Sequence, residues 1–309
     1  MPLAQPLRGV MPIAPTTFAR DESLDIESQR RVFDFLVDAG VDAICILANY
    51  SEQFALTDRE REELQTAAFE QVDGRVPIIV TTSHYSSRIA AERSRAAEEA
   101  GAAMVMVMPP YHGATLRAEP EAIKAFFARI AEAISIPIMV QDAPMSGTPL
   151  PASLLAELAR EIPQVQYVKV ESANAAAKLR ALIDQAGEAL PGPFDGEESI
   201  TLIPDLEAGA TGTMPSSMIP EVLRDVVHRW LAGDREQATA LWEAWLPMIH
   251  YENRQCGLRA TKILMKEGGI IASDATRLPF GPVPPQIRAG LIEHARRRKP
   301  LIMRWAYER

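Results

Sequence analysis

Short apolar runs alternate with amphipathic stretches along most of the chain. The runs fall at residues 9–14, 43–48, 76–81, 103–108, 136–141, 165–171 and 210–214, with a weak one at 193–195. Rich in β-branched and other apolar residues, they read as buried strands. Between them, apolar positions recur at helical spacing over 26–39, 58–71, 87–100, 119–133, 151–160, 173–186 and 199–208. Thr57-Asp58-Arg59-Glu60 has the form of a capping box, and Gly40 and Gly101 stand just past two helical stretches, where a C-terminal glycine belongs. Repeated βα units pair as a parallel sheet with helices outside it. About eight such units in about 220 residues predict a (β/α)8 TIM barrel rather than an open doubly wound sheet. After about Pro220 the strand pattern stops. Residues 221–309 read as a C-terminal helical extension, with Trp230, Trp242, Trp245 and Met248 on apolar stripes that suit core and subunit packing. The expected division is therefore a catalytic barrel at 1–220 and a helical domain at 221–309.

Composition narrows the function. Apolar residues make up 47% of the 309 positions and charged residues 24%, ordinary for a globular protein. A net charge of −9 argues against a nucleic-acid partner, which needs a basic footprint. The basic run Arg296-Arg297-Arg298-Lys299 suits a solvated helix end. No apolar stretch is long enough for a membrane span, and Met1-Pro2-Leu3-Ala4-Gln5-Pro6 lacks the features of a signal peptide. Cys45 and Cys256 lie far apart and fit two free thiols in a reducing cytoplasm. The five histidines form no metal-binding spacing, and neither a dinucleotide nor a P-loop fingerprint is present. No metal is expected.

One lysine carries the candidate chemistry. Lys169 lies inside Val165-Gln166-Tyr167-Val168-Lys169-Val170-Glu171. An ammonium in an apolar strand is costly unless it is used, and a lysine held partly neutral forms Schiff bases with carbonyl compounds. Strand side chains alternate, so Lys169 and Glu171 point to one side. In a (β/α)8 barrel the working groups sit at the C-terminal strand ends. Those positions here hold Thr16 and Thr17, Asn49-Tyr50-Ser51-Glu52, Tyr111-His112, Gln141-Asp142, Lys169 and Glu171, Gly196-Glu197-Glu198, and residues 213–217.

Pro12-x-x-Pro15-Thr16, Ala48-Asn49-Tyr50-Ser51-Glu52, Pro109-Pro110-Tyr111, Ile136-Pro137-Ile138 with Asp142-Ala143-Pro144, Val168-Lys169 and Gly196-Glu197-Glu198 occur in order along nearly the whole chain. In this the chain resembles the dihydrodipicolinate synthase / N-acetylneuraminate lyase family of lysine-dependent enzymes. It also departs from that family. The tyrosine that relays protons is replaced by Gln141, whose amide is no acid or base near neutral pH. The hydroxyl pair is replaced by Asn49 and Tyr50, followed by Ser51. The synthase's carboxylate-binding arginine has no counterpart in Asp142-Ala143-Pro144-Met145-Ser146-Gly147, and Glu171 stands where the family has a small or hydroxyl residue. This exchange of proton carriers resembles one subgroup, the 2-keto-3-deoxy-L-arabonate dehydratases.

The resemblance implies a small 2-keto-3-deoxy sugar acid as substrate, a covalent Schiff base on Lys169 with no other cofactor, and a role in pentose catabolism such as L-arabinose degradation. It implies loss of the C4 hydroxyl to give 2-oxoglutarate semialdehyde, with Lys169 as nucleophile and Glu171 as proton carrier. Gln141 is expected to orient the substrate or a water. Asn49, Tyr50 and Ser51 are expected to bind the substrate, with Ser51, nearby amides and Asn49 on its C1 carboxylate. Gly196 and Glu197 are also assigned to substrate, Glu197 at a distal hydroxyl. Tyr111 matches the tyrosine that reaches a neighbouring subunit's site, which implies a tight dimer and a homotetramer. Glu52 is expected to satisfy loop amides, and His112 to be an ordinary loop residue. Two alternatives remain: a class I aldolase on the same lysine, and a non-catalytic sugar-acid sensor, against which the Lys169-x-Glu171 pair argues.

Overall fold

The computed structural model describes residues 6–111, 118–148 and 150–309. The elements run β1 (Gly9–Val10), α1 (Ile26–Asp38), β2 (Ile44–Ile46), α2 (Asp58–Val72), β3 (Ile78–Thr81), α3 (Ser87–Glu99), β4 (Met104–Val107), α4 (Pro120–Ala131), β5 (Ile138–Asp142), α5 (Ala152–Glu161), β6 (Val165–Val170), α6 (Ala175–Ala186), β7 (Gly192–Asp195), α7 (Leu202–Glu207), β8 (Gly212–Thr213) and α8 (Pro220–Leu231). Four further helices follow: α9 (Arg235–Tyr251), α10 (Arg259–Glu267), α11 (Pro285–Arg298) and α12 (Trp305–Glu308). The strands lie in the order β1-β8-β7-β6-β5-β4-β3-β2 in one eight-stranded sheet. Each pairing from β3 to β8 is parallel. The fold is a (β/α)8 TIM barrel with C-terminal helices. β3, β4, β5 and β7 are buried at every position, and β6 everywhere except Gln166. Continuous burial, rather than alternation, marks a sheet covered on both faces.

The chain packs as two compact units. One is the segment ending at Gly9 together with Pro77–Met214. Its sheet registers Gln141 against Lys169 and Lys169 against Phe194. Tyr167 is fully buried, and its hydroxyl accepts a hydrogen bond from Leu7 N at 2.8 Å. Gly192 allows this packing, since a Cβ there would lie 2.0 Å from the Tyr167 ring. The helix expected at 199–208 begins only at Leu202. Glu198 and Ser199 have φ of 52° and 64°, left-handed conformations outside any right-handed helix. A helix starting at 199 would also carry Pro204 past its first turn, where proline removes an internal hydrogen bond.

The other unit is Val10–Val76 with Pro215–Arg309. Here Ile13 bridges both Cys45 and Ser216 in parallel fashion. The capping box forms: Thr57 Oγ1 accepts from Glu60 N at 3.2 Å, and Glu60 Oε2 accepts from Thr57 N at 2.9 Å. Trp230 and Met248 are buried, whereas Trp242 and Trp245 are half-buried. Cys45 and Cys256 are both buried, and no disulfide joins them. Among the described residues, no helix is long and apolar enough to cross a membrane.

Candidate active site

The site is built on the adjacent ends of β5, β6 and β7. β6 carries Lys169 into the interior, where its side chain is 1% exposed. Glu171 lies one residue past β6, yet Glu171 N still donates to Asp142 O at 3.1 Å. That bond keeps the backbone extended, so period two returns Glu171 to the side of Lys169. Lys169 Nζ lies 2.6 Å from Glu171 Oε1. Gln141, opposite Lys169 in the neighbouring strand, donates from Nε2 to the same Oε1 at 2.7 Å. One carboxylate oxygen thus receives an ammonium and an amide. An unpaired ammonium at this depth would cost several kcal/mol. The partner that offsets this cost is also the nearest base for its proton. Transfer across 2.6 Å leaves a neutral amine and a carboxylic acid, a pair that favours carbonyl capture.

Gly196 explains how the two stems fit. A Cβ there would lie 2.6 Å from Glu171 Cγ, 2.8 Å from Lys169 Cγ and 2.8 Å from Val170 O. Gly196 N donates to Val170 O at 2.9 Å, which holds the residue against β6. Glu197, next in the chain, is half-buried, and its N–H donates to Asp195 Oδ1 at 3.2 Å. Gln141 Oε1, fully buried, has no hydrogen-bond partner among the described residues.

Asn49, Tyr50 and Ser51 belong to the second unit, in a short 3-10 turn after β2. Ser51 Oγ donates to Ala14 O at 2.7 Å and accepts from Ala48 N at 3.1 Å. Ser51 N donates to Ala48 O at 2.9 Å, and Thr16 Oγ1 donates to Ser51 O at 2.6 Å. The tight turn brings Ala14 O within reach of the Ser51 hydroxyl. In this conformation Ser51 ties the turn down. Asn49 Oδ1 accepts from Gln53 Nε2 at 2.6 Å. Tyr111 is half-buried. His112 lies outside the described residues.

Some partners carry no local signal in the sequence. Glu52 is 2% exposed and accepts Arg277 N at 3.0 Å, the amide-satisfying task expected of it, but it also meets Lys262 Nζ at 2.5 Å. Lys262 is fully buried, donates to Ala275 O, and stands 4.6 Å from the Phe18 ring centroid; burial holds its pKa below the usual lysine value. Asp142 faces away from Gln141 and pairs with Lys178 at 2.5 Å, beside a cavity of about 880 Å³ that also meets Pro144, Thr148 and Ser172. Burial pushes the Asp142 carboxyl up despite that cation.

A (β/α)8 sheet bearing a buried lysine–carboxylate pair at its strand ends is equipped to capture a carbonyl compound. Comparison with known proteins makes this specific. The model of the dihydrodipicolinate synthetase family matches residues 6–296, and the chain belongs to that family. It is 54% identical over 300 residues to L-2-keto-3-deoxyarabonate dehydratase of Azospirillum brasilense, covering 97% of each chain. Among solved structures, dihydrodipicolinate synthase from Aquifex aeolicus shares the fold, with a TM-score of 0.88 at 21% identity, over 95% of this chain and 98% of that one. The synthase from Rhodopseudomonas palustris matches with a TM-score of 0.84 at 28% identity, over 94% and 97%.

Proposed function

We propose that the protein is a Schiff-base dehydratase that converts 2-keto-3-deoxy-L-arabonate to 2-oxoglutarate semialdehyde. The observation that carries this reading is the buried Lys169–Glu171 pair at 2.6 Å, backed by an amide rather than a phenol at position 141. The similarity to the Azospirillum brasilense dehydratase supports the substrate.

Lys169 gives its proton to Glu171 and attacks the C2 ketone; loss of water forms the iminium ion. The positive nitrogen acidifies the C3 protons, and Glu171 takes one to leave an enamine. The enamine expels the C4 hydroxyl, which departs as water with the proton from Glu171. Loss of a C5 proton with reprotonation at C4, and loss of the C5 hydroxyl proton with reprotonation at C3, turn the C5 carbinol into an aldehyde and restore the iminium ion. Hydrolysis of the iminium frees Lys169, and the net change is loss of one water. Proton transfers of this kind contribute about 10²–10⁴-fold in rate. Gln141 holds Glu171 in place through its amide N–H and keeps an acceptor free for the substrate or a water. Retro-aldol cleavage needs a base at the C4 hydroxyl, and no phenol stands at position 141 to supply one.

Glu197 is our candidate for a distal hydroxyl, and Gly196 makes room for the reacting pair. Asn49, Tyr50 and Ser51 are our candidates for substrate binding, with Ser51, nearby amides and Asn49 at the C1 carboxylate. No cofactor beyond the covalent lysine adduct enters these steps. We assign Tyr111 to a contact between subunits of a cytoplasmic homotetramer, testable by light scattering, and the reaction to pentose catabolism.

The test is product analysis on a panel of 2-keto-3-deoxy pentonates and hexonates. The expected product from the L-arabonate compound is 2-oxoglutarate semialdehyde. Pyruvate with a two-carbon aldehyde would overturn the dehydratase in favour of an aldolase.

A further inference from the structure

Two aspartates that the mechanism does not use lie beneath the loop after β7. Asp195, at the end of β7, and Asp205, in α7, are both fully buried. Asp195 Oδ2 accepts from Thr213 Oγ1 at 2.5 Å, and Asp195 Oδ1 accepts from Glu197 N at 3.2 Å. Because Thr213 spends its proton on Asp195, Ser199 Oγ, 3.0 Å from Thr213 Oγ1, is the donor in that contact. Asp205 Oδ2 accepts from Thr201 Oγ1 at 2.7 Å.

Asp205 Oδ1 meets no donor among the described residues. Its neighbour is the Asp195 carboxylate, and two ionised carboxylates do not share a buried site. A proton on Asp205 resolves both difficulties, since it gives Oδ1 a hydrogen bond to donate to Asp195. Burial pushes both carboxyls up; the hydrogen bonds from Thr213 and the Glu197 N–H work against that rise at Asp195, whereas the charge of Asp195 adds to it at Asp205.

Three of the donors in this network come from one loop. Ser199, Thr201 and the Glu197 N–H come from residues 196–201, whereas Thr213 comes from β8 and Asp205 from α7. The loop carries Glu198 and Ser199 in left-handed conformations, which rarely persist unless surrounding bonds impose them. It also carries Gly196, against which the stems of Lys169 and Glu171 lie.

We infer that Asp195 and Asp205 are positioning residues: an ionised Asp195 collects hydrogen bonds from a protonated Asp205, Thr213 and the Glu197 amide, and so fixes the 196–201 loop under Lys169 and Glu171. This inference rests on the reading of those two residues as the reacting pair. It makes the two aspartates unequal. Asp205→Asn supplies an N–H where the protonated acid supplied an O–H. Asp195→Asn turns an NH2 toward groups that are themselves donors.

The test uses the full-length protein with D195N, D205N and T213V, amide hydrogen exchange of the loop, and turnover of 2-keto-3-deoxy-L-arabonate. D205N should keep parental loop protection and turnover within about twofold. D195N should exchange the loop at least tenfold faster, with β6 unchanged, and lose at least tenfold in kcat. T213V, which deletes one hydroxyl, should move both readouts the same way by a smaller factor, and it decides the matter if D195N does not fold. Equal damage from D195N and D205N, or parental protection in both D195N and T213V, would overturn the inference. The exchange readout does not depend on lysine chemistry, so a parent that turns nothing over would refute the catalytic reading while the loop result still stands or falls by itself.

Discussion

Replacing Gly196 by alanine probes the reacting pair without touching either of its members. The new Cβ would lie 2.6 Å from Glu171 Cγ, 2.8 Å from Lys169 Cγ and 2.8 Å from Val170 O. Carbon atoms in contact prefer about 3.5–4.0 Å, so the Glu171 stem must move by about 1 Å. Val170 O belongs to β6 and cannot yield without breaking the ladder, and the Cγ atoms are stems rather than free ends. The strain falls on the geometry between Nζ and Oε1. A misplacement of about 1 Å costs about 10²-fold in rate, close to 3 kcal/mol of barrier. Overpacking at a dense position costs about 1–3 kcal/mol of stability, which a domain of this size survives. Urea unfolding would verify that the variant folds, and kcat would be measured at saturating 2-keto-3-deoxy-L-arabonate. A folded G196A whose kcat stays within threefold of the parent would refute the claim that the spacing of Lys169 and Glu171 sets the rate.

Further outcomes follow from the same structure. Lys169→Ala should abolish borohydride-dependent adduct formation with pyruvate and reduce turnover to background; turnover at the parental rate would exclude a Schiff base on this residue. Gln141→Leu removes the amide donor from Glu171 Oε1 and should lower kcat by about tenfold, roughly one charge-assisted hydrogen bond, with a smaller change in KM. Lys262→Met leaves the Glu52 carboxylate buried without its cation and should destabilise the fold by about 3–5 kcal/mol in urea, with Glu52→Gln added to Lys262→Met recovering part of the loss. Glu252 is fully buried, and burial raises its carboxyl from 4.5 to about 7. The folded chain therefore keeps a proton that the unfolded chain releases. Its contribution is complete below about pH 4.5 and is lost as pH rises to about 7, a fall of about 3 kcal/mol. Glu252→Gln should flatten that slope, and identical urea profiles against pH for variant and parent would remove Glu252 as its source.

Local periodicity made much of this molecule legible. The buried strands declare themselves as apolar runs because both faces of the sheet are covered, and Lys169 is conspicuous because an ammonium does not belong in such a run. Period two along β6 placed Glu171 beside it, and the Thr57–Glu60 box marked the start of α2 because capping is a four-residue interaction. The start of α7 was misplaced, since nothing in the apolar spacing reveals that Glu198 and Ser199 adopt left-handed backbone. The Glu52–Lys262 pair joins residues separated by 210 positions, and the Asp195–Asp205 arrangement depends on how a strand meets a helix. Such pairings leave no periodic trace. The bond from the Ser51 hydroxyl to Ala14 O has no local signal either, since only the folded turn brings that acceptor near.

The central claim is that Lys169 and Glu171 act in succession on one bound keto acid. The measurement that tests it most directly is mass spectrometry of the lysine adduct trapped by borohydride from 2-keto-3-deoxy-L-arabonate, in the parent and in Glu171→Gln. The account predicts an adduct on Lys169 in both proteins: in the parent largely at the mass of a dehydrated species, and in the variant at that of the intact substrate, with turnover reduced about 10²–10⁴-fold. An adduct on another residue, or a variant that dehydrates its substrate as fast as the parent, would contradict it.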